Sequence, residues 1–97
     1  METGGAPLRL QVRGANPVRG GTTLAYALPR SGRVGLAVFD VNGRRVARLV
    51  DGIQNAGLHE LLWNARDDHA ARIAAGIYFV RLETDAGVKA QKIIVAE

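Results

Sequence analysis

One stretch near the end of the chain, residues 76–95, decides the fold: it reads GIYFVRLETDAGVKAQKIIV. Tyr78, Val80 and Leu82 are apolar at every second residue within Ile77 to Thr84, and Val88 to Val95 is a second run of strand length, as expected of β-strands with one buried face. Asp85-Ala86-Gly87 separates the two runs, and Gly87 suits the left-handed position of a three-residue hairpin loop. The stretch therefore predicts two antiparallel strands, with Tyr78, Val80 and Leu82 facing a core.

The same alternation recurs through the rest of the chain, and no segment sustains a helical period. Gly, Pro and Asn interrupt the apolar runs at intervals of about 8–12 residues, a spacing that is typical of sandwich domains. We predict seven strands, at residues 8–12, 22–28, 34–41, 46–50, 58–63, 77–84 and 88–95. The fold class is then all-β: a seven-stranded, two-layer antiparallel sandwich of the immunoglobulin/fibronectin-III-like type. Residues 1–13 hold the lead-in and first strand, and they form a single domain with the sandwich over residues 14–97.

Several connections and aromatic residues carry specific expectations. Asn42-Gly43 tolerates positive φ at both residues and favours a type I′ hairpin. Asp51 to Gly57 is a second, glycine-bounded connection. Asn64 to Ala75 is too short for a stable isolated helix, so we expect a long loop between the sheets. Trp63 falls on an apolar strand face and belongs to the core, as does Tyr26; Tyr78 resembles the tyrosine of a tyrosine corner, whose hydroxyl reaches nearby backbone.

Composition narrows the functional classes. Ninety-seven residues, 47% hydrophobic and 23% charged, fit one soluble domain. The chain has no cysteine, so it carries neither a disulfide nor a thiolate metal site. No run approaches the ~18 apolar residues of a membrane span, and the first residues lack the pattern of a signal peptide. We therefore expect no membrane span, and any export address lies elsewhere in a longer parent chain or in the domain itself.

The net charge of +4 is spread unevenly. Residues 1–48 hold eight arginines against two acidic residues, whereas residues 49–97 hold five basic residues against seven acidic ones. A basic half of this kind is compatible with an acidic polymer or an anionic surface as a partner. The arginines are scattered along strands and turns, however, and proteins that stack bases need aromatic side chains on an exposed face. We expect a solvated arginine-rich surface and no nucleic-acid partner.

Several short motifs, taken in order, resemble a bacterial family of C-terminal domains. They are Asn16-Pro17, Leu28-Pro29, residues 38–44 (VFDVNGR), Gly57-Leu58-His59, Trp63-Asn64, residues 76–82 (GIYFVRL) and residues 92–95 (KIIV). The set spans residues 14–96 and is similar to the immunoglobulin-like domain of the flagellar hook-capping protein, and equally to the related C-terminal sorting domain of the type IX secretion system. The resemblance implies a protein partner, either secretion machinery or a neighbouring domain, and a secreted or cell-surface location.

The loop after the tryptophan departs from the family pattern. Relatives commonly have Trp-Asp-Gly and then an Asp and a Gly, whereas this chain has Ala65 and Ala70 in place of the two glycines. Because glycine adopts backbone conformations that other residues resist, losing both is expected to alter the loop. An ion or partner that this loop binds in relatives is therefore not carried over to this chain. Val18 also stands where the family usually has Phe.

Few polar residues suggest chemistry. Asp67 and Asp68, with His69 beside them, are the best candidates for a Ca²⁺ site, but such a site needs about 6–8 oxygens and no further acidic cluster follows. The alternative is a polar loop in which the aspartates bond their own backbone. Ser31, His59 and His69 lack the pattern of a hydrolytic triad, and two histidines fall short of a zinc site. We therefore expect no catalytic residue, no metal and no cofactor.

Four residues are the candidate partner contacts: Phe79, Arg81, Lys89 and Lys92. If Tyr78 faces the core, Phe79 and Arg81 point outward as a contact stripe. The last strand carries both lysines and has the character of an edge strand, which offers unpaired backbone groups to a partner and is commonly guarded by lysine.

These observations favour a non-catalytic role. The first hypothesis is a C-terminal sorting or attachment domain of an exported bacterial multidomain protein, recognised through a rigid surface and its terminal strand. The alternative is a structural interaction module like the hook-capping domain, which packs against other domains or copies of itself. A carbohydrate-binding module is less favoured because the aromatics are assigned mostly to the core, and enzymatic activity comes last. Neither leading hypothesis fixes an oligomeric state.

Overall fold

The computed structural model describes residues 7–14 and 16–96, which form two packed antiparallel β-sheets. One sheet has the strand order β1-β2-β5 and the other has the order β4-β3-β6-β7. The strands are β1 (Arg9–Arg13), β2 (Thr22–Leu28), β3 (Gly32–Asp40), β4 (Arg45–Gln54), β5 (Gly57–Trp63), β6 (Gly76–Thr84) and β7 (Gly87–Val95). The predicted all-β, seven-stranded sandwich is confirmed. Within the described residues, no helix has the length and apolar character needed to cross a membrane.

The core lies between the sheets and is built by alternate residues of the central strands. Val34, Leu36 and Val38 of β3 are at most 1% exposed, because successive side chains of a strand point to opposite faces. Leu24 and Leu28 of β2 meet them from the facing sheet and are equally buried. Each fully buried aliphatic side chain of this size stabilises the fold by roughly 1.5–3 kcal/mol. The alternation read from the sequence is thus the alternation that fills the core.

Two buried aromatic side chains tie the loop before β6 to this core. Trp63 is 3% exposed, and its indole nitrogen donates to the carbonyl of Arg66 at 3.1 Å. The hydroxyl of Tyr78 donates to the carbonyl of Ala74 at 2.7 Å. Burial raises the pKa of Tyr78, and the carboxylate of Asp40 adds to the effect, so the hydroxyl stays protonated as a donor at neutral pH. The predicted burial of Trp63 and the predicted tyrosine-corner contact are both confirmed.

The hairpin between β3 and β4 is not the type I′ turn expected from Asn42-Gly43. Gly43 has the predicted positive φ, 82°, but Asn42 does not, and a type I′ turn needs both. The amide of Gly43 donates to the carbonyl of Asp40, and the amide of Asp40 donates to the carbonyl of Arg44, so the loop has three residues. The cause is local: the carboxylate of Asp40 accepts from the amides of Asn42 and Arg44, at 2.9 and 3.0 Å, and holds the wider loop.

Strand β4 is longer than predicted, because it continues to Gln54 through the segment expected to be a connection. Asp and Gly favour turns when they are considered alone. Here Asp51, Gly52 and Ile53 pair instead with the first residues of β3, and Asp51 forms a 3.0 Å ion pair with Arg33. Pairing with a strand distant in sequence therefore overrides a local turn preference.

Two further turns are correspondingly short. Only Asn55 and Ala56 join β4 to β5, and the amide of Ala56 donates to the hydroxyl of Ser31 at 3.1 Å. The turn between β6 and β7 has two residues, not the predicted three, because Gly87 already pairs with Thr84.

The segment 64–75 crosses as a loop, as predicted, and contains no helical residue. Ala65 and Ala70 have φ values of 59° and 64°, in the left-handed region that favours glycine. Both alanines stand where the family pattern described above has glycine, and both adopt backbone conformations that glycine adopts without strain. The chain accepts conformational strain instead, which costs a residue with a side chain about 1–2 kcal/mol.

The two aspartates of this loop bond backbone groups. The carboxylate of Asp67 accepts from the amides of His69 and Ala71, at 2.8 and 2.9 Å, and the Ala71 bond is the main cause of the lowered pKa of Asp67. Asp68 lies along the free edge of β4: its amide donates to the carbonyl of Val46, and its carboxylate accepts from the amide of Arg48 at 2.8 Å. The predicted bonding to the loop's own backbone is confirmed for Asp67, whereas Asp68 bonds the backbone of β4. In the part of the chain described here no three His, Asp or Glu residues are grouped as metal ligands.

Replacing Ala70 with glycine should stabilise the domain. Relief of the left-handed strain, about 1–2 kcal/mol, outweighs the greater flexibility that glycine gives the unfolded chain, about 0.4–1 kcal/mol. We expect a net gain of up to about 1 kcal/mol, or roughly 4–8 °C per kcal/mol in Tm for a domain of this size. Ala71→Gly, in the same exposed loop but with negative φ, is the control and should lower Tm. An Ala70→Gly variant that melts below the parent would contradict the strain.

The Asp67 hydrogen bonds should make stability depend on pH in acid. Because the folded-state pKa lies below the ordinary value of 3.8, the contribution is fully present above that value and fades as the pH falls below it. The Tm gap between the parent and Asp67→Asn should be constant from neutral pH down to about pH 5 and should shrink below 3.8. Thermal melts across this range measure it, with Asp67→Ala as a control that lacks the acceptor altogether. A gap that persists unchanged in acid would exclude the charged carboxylate as its cause.

Candidate protein-contact face

The pairing of β6 with β7 places three of the four candidate contact residues on one surface. Since Tyr78, Val80 and Leu82 face the core, Phe79 and Arg81 point to solvent on the opposite side of the sheet. Lys92 is the cross-strand partner of Phe79, and partners in an antiparallel pair share a face. Phe79, Arg81 and Lys92 therefore lie together on the solvent side of the four-stranded sheet, which we call the outer face.

Lys89 does not belong to this surface. Its cross-strand partner is Leu82, whose side chain is buried, so Lys89 projects toward the inner side of the sheet at the exposed edge of β7. The sequence held a signal for this separation, since Lys89 and Lys92 are an odd number of residues apart and a regular strand sends such residues to opposite faces. Lys89 therefore lies apart from the other three predicted contact residues.

Residues from β3 and β4 complete the outer face and were missed by the sequence reasoning. Phe39 pairs with Phe79 on one side and with Arg45 on the other, so a row of two aromatic rings flanked by cations crosses the sheet and ends at Lys92. The guanidinium carbon of Arg81 lies 5.9 Å from the ring centroid of Phe39, within the range of a cation–π contact. Alternation along β3 pointed Phe39 outward, and a hairpin joining β3 to β4 was predicted, but the pairing of β3 with β6 was not readable from the sequence.

The outer face exposes apolar surface beside its charges. Phe79 is 38% exposed, and the neighbouring cross-strand pair of Ile77 and Ile94 is 44% and 38% exposed. Aromatic side chains and arginine are enriched in protein–protein interfaces relative to other surfaces. The composition and placement of this face match that pattern.

The ion pairs on this face are solvent-exposed and easily exchanged. Arg48 lies 3.4 Å from Asp51, and Arg45 lies 3.8 Å from Asp68, with each side chain at least 40% exposed. Exposed pairs of this kind contribute at most about 1 kcal/mol. The arginines can therefore turn to a partner's carboxylate at little cost to the fold.

The edge of β7 is only partly open. Near its end, the amide of Val18 donates to the carbonyl of Ile94 at 2.7 Å, and the amide of Ala96 donates to the carbonyl of Val18 at 2.8 Å. Ile93 and Val95 are at most 4% exposed and belong to the core. The terminal strand is thus an integral part of the sandwich, and a partner that recognises this strand must bind it within the folded domain.

The residues considered for catalysis serve the fold. The hydroxyl of Ser31 accepts from a turn amide, as described above, and the Nε2 of His59 is hydrogen-bonded to the carbonyl of Asn55 at 2.7 Å. The His59 ring stacks on Tyr26, with centroids 5.1 Å apart, and the Tyr26 hydroxyl donates to Gln54. Burial raises the pKa of Tyr26, so this hydroxyl also remains a donor.

Solved structures of two kinds of protein contain a similar fold. PorU from Porphyromonas gingivalis, solved as a latent dimer, matches 94% of this chain with 23% identity and a TM-score of 0.69. PorZ, a surface component of the type IX secretion system of the same organism, matches 91% with 22% identity and a TM-score of 0.62. FlgD from Xanthomonas campestris, described for its role in hook capping during flagellar assembly, matches 77% with 27% identity and a TM-score of 0.58.

In each case this chain spans only part of the other protein: 10% of PorU, 11% of PorZ and 55% of FlgD. No curated protein matches the chain significantly in sequence. A family model does: that of the FlgD Ig-like domain matches residues 11–87, from β1 to the start of β7. The motifs, the seven-strand sandwich and this match agree, and the chain belongs to the FlgD Ig-like domain family.

Proposed function

We propose that this chain is a non-catalytic attachment module, and specifically the C-terminal sorting domain of an exported bacterial multidomain protein. Its mechanism is recognition: a rigid sandwich presents the outer face to a protein of the secretion apparatus at the cell surface. The observation that carries the proposal is the outer face itself, where Phe79, Arg81 and Lys92 lie together beside exposed apolar surface. The polar turn residues form hydrogen bonds that stabilise the fold, whereas the solvent-facing side of the four-stranded sheet has the composition of a protein interface.

The comparisons support the setting of this proposal. In PorU and PorZ the same sandwich accounts for about a tenth of a much larger protein, as an accessory domain does. PorZ is itself a surface component of the type IX secretion system. We infer that this chain likewise accompanies a larger protein and acts at the cell surface or in the secreted fraction.

The non-catalytic part of the proposal is supported by what the candidate side chains do. Ser31, His59 and Asp67 are each hydrogen-bonded to backbone groups, and these contacts fix turns. A nucleophile or general base needs its reactive atom aimed at a substrate. In these three residues the side-chain atoms that catalysis would use are engaged in hydrogen bonds that stabilise turns.

A structural role in an assembly is the second candidate, and the family match favours it. The FlgD Ig-like domain model covers residues 11–87, and the identity to FlgD, 27%, exceeds that to PorU or PorZ. In this role the outer face packs against a neighbouring domain or another copy of the chain. Both candidates place the contacts on the outer face, and they differ in whether the domain directs a passenger protein.

Fusion of residues 1–97 to the C-terminus of an exported reporter tests the sorting role. The whole chain is used because β1 pairs with β2 and buries Leu10, so a fusion starting at residue 14 would lack a strand. In a host with a type IX system the reporter should reach the cell surface, measured by surface protease accessibility. Lys92→Glu should reduce surface display several-fold without unfolding, since surface charge changes typically move stability by less than about 0.5 kcal/mol.

Lys89→Glu is the matched control, because it makes the same change on the same strand but on the other side of the sheet. It should leave surface display near the parent level while melting like Lys92→Glu. A parent fusion that stays in the periplasm would exclude the sorting role and leave the structural module as the better account. Equal losses from both lysine changes would exclude the outer face as the recognised surface.

A further inference from the structure

A groove runs along β3 on the outer face. Its floor is formed by Gly35 and Ala37, because neither residue raises a long side chain above the sheet. The walls are long polar side chains of the flanking strands β4 and β6, and Phe39 closes one end. The groove holds about 200 Å³ and is open along its length.

The arginines and the carboxylates of this groove arise from different cross-strand rows. Arg45, Arg48 and Arg81 surround the end that Phe39 closes, since they sit in the cross-strand rows of Phe39 and Ala37. The acidic pair of Asp51 and Glu83 flanks Gly35 at the other end, since both are its cross-strand partners. The backbone rows of the two ends are about 7–13 Å apart along β3. The long side chains bridge this distance, since Arg48 lies 3.4 Å from Asp51 and Arg81 lies 2.5 Å from Glu83. These pairs are about half exposed, so the charges of a partner can replace them at little cost.

The groove continues into the apolar part of the outer face. Phe39 at its positive end pairs with Phe79, which is 38% exposed. A ligand that reaches the arginines therefore has an aromatic surface directly beyond them. Arg81, poised over the ring of Phe39, links the two parts.

We propose that this groove binds an extended segment of a partner protein, with a carboxylate among Arg45, Arg48 and Arg81, an apolar side chain on the two phenylalanines, and a cation at Asp51 and Glu83. The inference rests on the proposed recognition function and names the site and the chemistry of its partner. Guanidinium groups suit a carboxylate because each offers several N–H donors in a planar fork. Alternate residues of an extended segment lie about 6.6 Å apart, which matches the spacing of the rows.

The same charge pattern disfavours a uniformly anionic polymer. A polysaccharide sulfate or a nucleic acid would bring negative charge to the end occupied by Asp51 and Glu83, and like charges at close range repel. A peptide segment is able to carry opposite charges a few residues apart. The groove therefore fits a protein segment better than a polyanion.

Binding of a synthetic peptide to the full chain tests the inference. The probe is acetyl-Lys-Thr-Val-Thr-Glu-Thr-Phe-amide, which in extended form puts Lys, Val, Glu and Phe on one face. In an NMR titration the largest amide shifts should fall on Ala37, Phe39 and Arg81. The analogue with Gln in place of Glu should bind about tenfold more weakly, because a hydrogen bond to a charged group is worth more than one to a neutral group.

Gly35→Val blocks the groove without straining the fold. A Cβ at Gly35 meets no atom within 4 Å, and a β-branched residue is suited to a strand. Gly52→Val is the matched control: it lies in the same sheet and meets no atom within 4 Å, but its partner Val34 faces inward, so the added side chain lies on the other side. The first change should abolish the peptide shifts and the second should preserve them, while both variants keep the parent spectrum elsewhere.

Three outcomes would overturn the inference: peptide shifts that survive Gly35→Val, no preference for Glu over Gln, or groove-centred binding of heparin without binding of the peptide. Because the titration uses no secretion host, its result is separate from that of the reporter fusion. A fusion that is not sorted, alongside a domain that binds the peptide through the groove, supports the groove and removes only the sorting role.

Discussion

The antiparallel pairing of β3 with β6 is the interaction on which the rest of this domain depends. These strands occupy the centre of the four-stranded sheet, and their register sets Leu36 opposite Leu82 and Val38 opposite Val80, all fully buried. Because side chains alternate, the same register sends the residues between them to solvent. A slip by one residue would put aliphatic side chains in water and phenylalanines and arginines in the core. The core and the outer face are thus two consequences of one pairing, and the strong requirement for the core fixes the geometry of the face.

The free edges of β4 and β7 are covered by residues from loops, which hydrogen-bond the backbone groups that these strands leave unpaired. Asp68 satisfies the backbone of β4 at Val46 and Arg48, and Val18 does the same for the end of β7. Unpaired strand edges invite aggregation, so a β-sandwich benefits from such covers. An acidic pair in a loop is often read as a metal site; here Asp67 bonds its own loop, and Asp68 completes hydrogen bonding that the edge of β4 leaves open. The strain at Ala65 and Ala70 belongs to the same loop, which suggests that holding Asp68 against β4 offsets the cost of two left-handed alanines.

A similar fold occurs in FlgD, a protein of flagellar hook capping, and in PorZ, a surface component of a secretion system. Function on such a scaffold resides in surface residues rather than in the fold, since the core is determined by packing alone. In this chain Gly35 and Ala37 illustrate the distinction. Neither packs in the core, yet their small size at the centre of the outer face is what leaves a groove between charged walls. Larger side chains there would be compatible with the sandwich and would fill that groove.

The sequence by itself determined the strands, the buried residues and the direction in which each side chain points, because apolar alternation is a local pattern that a single strand displays. It placed Trp63 and Tyr78 correctly. Lys89 and Lys92 were predicted as one group of contacts, although their odd spacing along β7 already implied opposite faces. It failed where a distant partner or a neighbouring side chain decides: β4 extends through Asp51-Gly52 because β3 pairs with it, and the Asp40 carboxylate selects the three-residue hairpin over type I′. The outer face likewise depends on contacts between strands that are distant in sequence. Arg45 lies across the β3–β4 hairpin from Phe39, but Phe79 is far from both in sequence, and only the order of strands in the sheet brings it into their row. Strand order is set by the packing of the whole chain, so the tertiary structure alone decided which outward-facing residues are neighbours.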